Sequence, residues 1–339
     1  MLYGHGDNGY QYRHEIIADF STNVWHGGDP PGLKEHLFRH WKQINKYPEV
    51  VAESLTKKAA AHHALEPENI LITNGATESI YLAAQAYRHK TSGIIIPSFA
   101  EYEDACSMHG HLIHFLDHVP VAEELLQKLD LLWIGNPNNP TGETYEGLQT
   151  LIGNHSGITF VVDEAFIDFA FPPTSVISWV TRLPNLIVLR SLTKTFSIPG
   201  LRLGYAVACK DLIKKLRALK LPWSVNALAL EAGNFIFDRY SVIQPPLKRL
   251  LQDKEDFVRQ LQQTTIKTRP GHTHFFLCET PHGSAAELQQ YLLDASRILI
   301  RDASNFRGLG ENHFRLATRS PVHNQLLVNA LKQWQHQYT

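Results

Sequence analysis

Lys194 lies among hydroxyls in Ser191-Leu-Thr-Lys-Thr-Phe-Ser-Ile-Pro-Gly-Leu-Arg202, between two apolar runs, Leu186–Arg190 and Gly204–Ala208, that read as buried strands. A free lysine amine has a pKa of about 10.4 and is protonated at neutral pH. Desolvation or a neighbouring cation lowers that value and makes the amine a nucleophile towards carbonyls. Ser191 and Arg202, on either side of the lysine, are donors of the kind that hold an anion such as phosphate. A surface turn carrying one solvated lysine is the competing reading of the stretch.

Other stretches add complementary groups. In Thr73-Asn-Gly-Ala-Thr-Glu-Ser79 a strand end meets a helix start, so Gly75, Ala76 and Thr77 present amides where an anion binds. An ordinary glycine turn with a threonine cap would look the same. No Gly-Lys-Ser/Thr follows, which excludes a nucleotide P-loop. Asn136-Pro-Asn-Asn-Pro-Thr-Gly142 follows a buried strand, and its prolines read as holding the loop extended. Its asparagine amides can donate to a ligand oxygen, or the segment is simply a rigid turn. Asp163 ends the apolar strand Phe160-Val-Val-Asp. Burying that carboxylate is costly unless it meets a partner. A pyridinium N–H is one such partner, which the carboxylate would keep charged; a capping or salt-bridged role is the alternative. Lysine, carboxylate, hydroxyls and arginine are together what pyridoxal phosphate requires.

Arg301 ends an apolar run and Arg315 lies on the next, an arrangement suited to bidentate capture of carboxylate or phosphate. Surface ion pairing is the alternative for both, and the preferred reading of Arg319. Among 19 histidines, His109, His111, His114 and His118 crowd one segment. Their spacing matches neither a zinc finger nor His-Glu-x-x-His. They read as solvated or core-edge, as do His62-His63 and His272-x-His274, and no metal site is expected. Gly4-His-Gly6-Asp-Asn-Gly9 matches a dinucleotide fingerprint, but no strand precedes it, so it is set aside.

The elements that must position these groups alternate. Ile70–Thr73, 93–96, Leu112–Phe115, Leu131–Gly135 and 158–162 read as buried strands, with helices at 76–87 and 101–109. Repeated βα units imply a mostly parallel sheet covered on both faces, with sites at the strand carboxyl ends. Beyond about residue 210 the pattern turns helical, at 211–219, 225–238 and 247–262. A smaller α/β unit follows, with strands near 275–278, 298–301 and 314–317 and a last helix from Asn324.

The chain has 339 residues, enough for two domains, with 43% hydrophobic and 19% charged residues. A net charge of −1 gives no footprint for nucleic acid or an anionic membrane. Cys106, Cys209 and Cys278 form no disulfide framework, no apolar leader is visible, and no apolar run approaches a membrane span, so a soluble cytoplasmic protein is expected.

Taken in this order, the motifs resemble the fold-type I pyridoxal-phosphate enzymes of the class I and II aminotransferase family, over nearly the whole chain. The resemblance implies an α/β fold with a mostly parallel large domain and a smaller α/β C-terminal domain. The divisions are an arm (1–30), a cofactor-binding domain (31–240) and a small domain (241–339). Pyridoxal 5'-phosphate is the implied cofactor. By motif match Lys194 would carry it and Asp163 would pair with the pyridine nitrogen. Asn139 would contact the ring hydroxyl, and Phe99 would stack on the ring. Ala76, Thr77, Ser191 and Arg202 would hold the phosphate beside Gly75. Tyr47 of Lys-Tyr-Pro-Glu resembles a tyrosine that reaches the neighbouring subunit's phosphate, which implies a homodimer with shared active sites.

Two branches of that family fit. Histidinol-phosphate aminotransferases share these motifs but usually read Asp-Glu-Ala-Tyr where this chain has Phe166. Threonine-phosphate decarboxylases, which make aminopropanol phosphate for cobalamin synthesis, are more similar. Their motifs match His5-Gly6, Asp19–Asn23, Pro222–Ala227 and the arginines at 301 and 315. By that match His5, Gly6, Asn23, Asn139, Arg301 and Arg315 would bind the substrate's phosphate and carboxylate. Trp25-His26 replaces the branch's usual Asn-Pro, and His274 replaces an asparagine. The expected reaction is decarboxylation of O-phospho-L-threonine, with transamination as the alternative. A non-catalytic, cofactor-sensing regulator is more remote, because the appended DNA-binding domain of such proteins has no counterpart here.

Overall fold

A computed structural model describes residues 9, 12, 15–117, 121–172 and 175–336. A short strand, β1 (Ala18–Asp19), precedes the helices α1 (Leu33–Arg39) and α2 (Glu53–His62). Then come β2 (Ile70–Thr73), α3 (Gly75–Ala86), β3 (Thr91–Ile95), α4 (Glu101–Met108), β4 (Leu112–Leu116), α5 (Glu123–Leu126), β5 (Leu131–Gly135) and α6 (Leu148–Asn154). They are followed by β6 (Thr159–Asp163), β7 (Leu186–Ser191), the single-turn α7 (Leu192–Thr195), β8 (Gly204–Ala208), α8 (Lys210–Arg217) and α9 (Ala227–Arg239).

The seven strands from β2 to β8 form one sheet in the order β2-β8-β7-β6-β5-β3-β4. Only β8 runs antiparallel to its neighbours. The strands read as continuous apolar runs because both faces are covered. Leu132, Ile134, Phe160, Val162 and Val188 enter one apolar cluster, while the residues between them, Leu131, Trp133, Val161, Ile187 and Leu189, enter another. The carboxyl ends of β2, β5, β6 and β7 then deliver Thr73, Gly135, Asp163 and Ser191 towards one edge of the sheet, where ligands bind in open α/β folds.

The second unit comprises α10 (Leu247–Leu261), β9 (Lys267–Thr268), β10 (Phe275–Glu279), α11 (Ala285–Ser296), β11 (Ile298–Leu299), β12 (Arg301–Asp302), β13 (His313–Ala317) and α12 (Pro321–Gln335). Its antiparallel sheet runs β12-β13-β10-β9. The single strand expected at 298–301 is divided. Ile298 and Leu299 pair with β1, while Arg301 and Asp302 pair with β13, and buried Ile300 marks the change of partner. The last helix begins before Asn324, at Pro321, because Ser320 caps it and proline suits a first turn. Phe20 packs among Phe257, Phe276 and Phe314 in this unit's own apolar cluster, so the segment around β1 shares its core. Among the described residues no helix is long and apolar enough to cross a membrane.

Candidate active site

A cavity of about 500 Å³ opens between the two units, and eleven of the residues singled out from the sequence line it: Asn23, Ala76, Thr77, Phe99, Asn139, Asp163, Ser191, Lys194, Arg202, Arg301 and Arg315. Gly75 lies behind the wall. Its φ of +73° turns the chain into α3, and a Cβ there would stand 2.6 Å from Arg202 Nη2. Glycine thus lets the guanidinium approach the start of α3, whose first amides have no partner within the helix. Ala76, Thr77, Ser191 and Arg202 therefore line one wall with anion donors. Tyr47 is 84% exposed, 5.3 Å from the Trp223 ring, and does not line the cavity of its own chain. His5 and Gly6 lie outside the described residues, as does His118.

Asp163 is buried at the end of β6. Its Oδ2 accepts from the Tyr102 hydroxyl at 2.7 Å and its Oδ1 from the Ala165 amide at 2.9 Å. Burial raises its pKa, while Tyr102, the Ala165 amide and the Lys194 charge pull it down. A buried carboxylate facing a cavity gains most from a cationic partner. Tyr102 went unrecognised in the sequence. It sits three residues after Phe99 in the first turn of α4, and nothing local marks a partner 61 positions away.

The loop after β5 is not extended. The Asn136–Pro137 peptide is cis, and the chain folds back with Gly142 N donating to Asn138 O and Asn138 N to Glu143 O. Asn139 Oδ1 accepts from Arg315 Nη1, which leaves Nδ2 as its donor.

Arg301 and Arg315 stand directly opposite each other across β12 and β13. Like charges in that register are destabilising. Burial, and then Arg301, push Arg315 down to about 9, with Asp19 acting against the shift. Arg301 is also pushed down, chiefly by burial. Among the described residues Asp163 is the only carboxylate lining the cavity, against Lys194, Arg202, Arg301 and Arg315. The site is built to receive anions. Asn23 adds Nδ2 and Oδ1, both buried without a protein partner, and such atoms are costly unless a ligand meets them.

Asn23 is held from behind, carbonyl by carbonyl. Phe20 O accepts from Ala317 N, Ser21 O from Arg315 Nη2, Thr22 O and Val24 O from the two Arg319 terminal nitrogens, and Asn23 O pairs with His274 Nε2 at 3.1 Å. This corrects two expectations. Arg319 is no surface ion pair but a buried clamp, 7% exposed. His274 is neither solvated nor at the core edge. It is fully buried, and burial followed by Arg319 lowers its pKa to about 3. The other departure, Trp25, donates its amide to Lys194 O at 3.0 Å, which joins the segment to the lysine turn. His111 is also buried, with Nδ1 2.8 Å from Ser92 Oγ and Nε2 2.9 Å from Ala84 O, so both its nitrogens are engaged.

Behind the cavity lies a charged network that sequence reading missed. Arg190 Nη1 donates to Glu164 at 3.1 Å and Nη2 to Asp168 at 2.9 Å, while Asp168 also accepts from Thr195 Oγ1 and Tyr240. Glu164 follows Asp163 and Thr195 follows Lys194, so one guanidinium ties both turns together. Arg190→Ala is expected to lower the unfolding free energy by about 3–5 kcal/mol, because buried Glu164 and the partly buried Asp168 lose their counter-charge. Urea denaturation measures it, and a loss within 1 kcal/mol would refute the bracing role.

The Aminotransferase class I and II family matches residues 15–331. The threonine-phosphate decarboxylase of Salmonella typhimurium is 34% identical over 333 residues, covering 93% of this chain and 90% of that protein. The crystal structure of L-threonine-O-3-phosphate decarboxylase from Porphyromonas gingivalis superposes with a TM-score of 0.91 at 38% identity, covering 94% of this chain and all of that one. A histidinol-phosphate aminotransferase of Caldanaerobacter subterraneus is 32% identical, over 86% of this chain and 84% of its own length.

Proposed function

Because this chain belongs to the class I and II aminotransferase family, we propose that it is a pyridoxal 5'-phosphate-dependent lyase. In this reading it decarboxylates O-phospho-L-threonine in the cytoplasm to (R)-1-amino-2-propanol O-phosphate for cobalamin synthesis. The donor set fits the cofactor. The Gly75 turn brings Arg202, Ser191 and the first amides of α3 to one wall for a phosphate. Asp163 supplies a buried carboxylate for a protonated ring nitrogen, Asn139 a donor for a ring oxygen, and Phe99 an aromatic face. When bound, pyridoxal 5'-phosphate supplies the sink for the electron pair released as a bond at Cα breaks.

The chain's own groups do the rest. Lys194 Nζ holds the cofactor in place and, once carbon dioxide has left, is the acid that returns a proton to Cα. Arg301, Arg315, Asn139 and Asn23, with His5 and Gly6 of the arm, clamp the substrate's phosphate and carboxylate. They thereby decide which bond at Cα is presented for cleavage. The observation that carries this reading is the opposed Arg301–Arg315 pair in a cavity lined, among the described residues, by a single carboxylate. Phe166 favours it over transamination of histidinol phosphate. It lines the cavity and packs edge-on to Phe275 at 4.8 Å, an apolar wall where the aminotransferase motif has a phenol.

A homodimer belongs to the same proposal. Phe38, Trp41, Ile44, Tyr47, Val50, Leu221 and Trp223 are exposed apolar side chains from two neighbouring stretches, and such exposure marks interaction surfaces. Tyr47 would complete the partner's phosphate site. The separate apolar clusters support the reading of residues 31–240 and 241–339 as two domains preceded by an arm over 1–30.

Holoenzyme given O-phospho-L-threonine is expected to release carbon dioxide without any added 2-oxo acid. Arg315→Gln is expected to lower kcat/KM by about 10–10²-fold, as for loss of one charge-assisted contact. Glutamate-dependent turnover of an imidazole keto-phosphate, with no carbon dioxide, would overturn the decarboxylase reading.

A further inference from the structure

Away from the cavity, three side chains converge that the proposed chemistry does not use. His36 and His40 lie four residues apart, at the end of α1 and its C-terminal cap, and Glu231 projects from the first turns of α9. Residues spaced by four share one face of a helix. Here that face carries two imidazoles, with ring centroids 4.3 Å apart. His36 Nε2 is 3.3 Å from Glu231 Oε2, and His40 Nε2 is 4.0 Å from the same oxygen. One ligand atom from each residue lies within 4.8 Å of the other two, the only such group of three among the described residues.

We propose that His36, His40 and Glu231 form a divalent transition-metal site, best suited to Zn²⁺, that fastens α1 to α9. Zinc takes imidazole and carboxylate ligands at about 2.0–2.2 Å, so adjacent ligands of a tetrahedral ion are separated by roughly 3.3 Å. The His36–Glu231 separation already has that value, the His40–Glu231 separation is 4.0 Å, and no two ligand atoms of the group are further apart than 4.8 Å. The tautomer also fits. His40 Nδ1 lies 2.9 Å from His36 O, a carbonyl to which it can only donate, so the lone pair is on the Nε2 that faces Glu231. A metal-bound histidine commonly fixes its other nitrogen in this way. The three groups are partly buried, with His40 the most open at 38% side-chain exposure, so an ion can enter and a water can take the fourth position.

The site has a structural consequence. His36 and Glu231 are 195 residues apart in sequence, and α1 leads through the turn at Trp41–Asn45 to Tyr47. A bound ion would pin the start of the segment proposed to reach the partner subunit.

Tag-free holoenzyme, freed of metal by chelation, is dialysed against ZnCl₂ and its bound zinc counted. One equivalent per chain is expected, with a raised Tm. His40→Ala and Glu231→Gln, each checked for wild-type circular dichroism, are expected to weaken that equivalent by roughly 100-fold. No stoichiometric zinc on the wild type, or an equivalent kept by both variants, overturns the site. If a variant fails to fold, the wild type decides alone. Zinc is expected to shield His36 and His40 from diethyl pyrocarbonate, read by peptide mass, and equal modification with and without zinc overturns the proposal. Carbon dioxide release from O-phospho-L-threonine is not among these readouts, so the site and the proposed reaction fail separately.

Discussion

Lys194→Ala is expected to abolish the visible absorbance of the lysine-bound cofactor and to lower decarboxylation at least about 10⁴-fold, since one side chain is proposed both to hold the cofactor and to move the proton. The variant should still fold. Lys194 is half-buried at the cavity wall, while the contacts that fix its turn come from its neighbours: Trp25 N to Lys194 O, Thr195 to Asp168, and Ser197 to Trp25 O. Truncating the side chain removes none of these. Spectral titration with pyridoxal 5'-phosphate, alongside far-ultraviolet circular dichroism, separates loss of chemistry from loss of fold. An unchanged absorbance band in a folded variant would exclude Lys194 as the attachment point.

Asp163→Asn is expected to move stability and activity in opposite directions. Asp163 is buried with a pKa raised above its ordinary value, so the folded protein binds its proton more tightly than the unfolded chain does. Its contribution favours folding at pH below the unfolded value and is lost as pH rises through the folded one. At neutral pH, holding the ionised carboxylate in the cofactor-free protein therefore opposes folding. Asparagine removes that charge and can keep both contacts, accepting from Ala165 N and donating to the Tyr102 oxygen. The cofactor-free variant should thus melt higher than wild type near pH 7, with the gain shrinking as pH falls. Its kcat with saturating cofactor should fall by about 10²–10³-fold, because no charge remains to hold a ring nitrogen protonated. Calorimetry across pH and steady-state kinetics test the two halves. A cofactor-free variant less stable than wild type at pH 7, or one retaining full activity, would contradict this account.

Opposed effects of this kind are expected where binding groups are held ready in advance, and the arginine wall repeats the pattern. Arg301 and Arg315 face each other at a cost in the ligand-free fold. The depressed Arg315 pKa expresses burial first and that repulsion second, and an incoming anion would relieve both.

Much of this site is legible in the order of residues along the chain. Lys194, Asp163, Ser191 and the start of α3 each sit where a strand of buried apolar residues ends, and a run such as Phe160-Val-Val-Asp announces both the strand and the residue it delivers. Departures arise where a local pattern has to choose among distant partners. Residues 298–301 have the composition of one strand, but their two halves pair with different strands. Arg319 and His274 read as surface groups because charge and polarity normally favour solvent. Both are buried because the carbonyls of residues 22–24 need donors, a demand that arises only when that segment lies beside the residues flanking β10 and β13.

By itself the sequence determined the alternating βα architecture, the family and the identity of most of the charged and polar groups around the cavity, Tyr102 excepted. Apolar periodicity, turn glycines and strand-end polar residues act over a few neighbours, and those short-range rules survive in one dimension. Tertiary structure alone decided which groups meet: Tyr102 with Asp163, Arg190 with Glu164 and Asp168, Arg319 with the Thr22 and Val24 carbonyls, and His36 with Glu231. Each of these contacts joins segments whose proximity depends on the packing of the whole chain, because a hydrogen bond or ion pair requires a partner within about 3 Å, and chain order does not encode that distance.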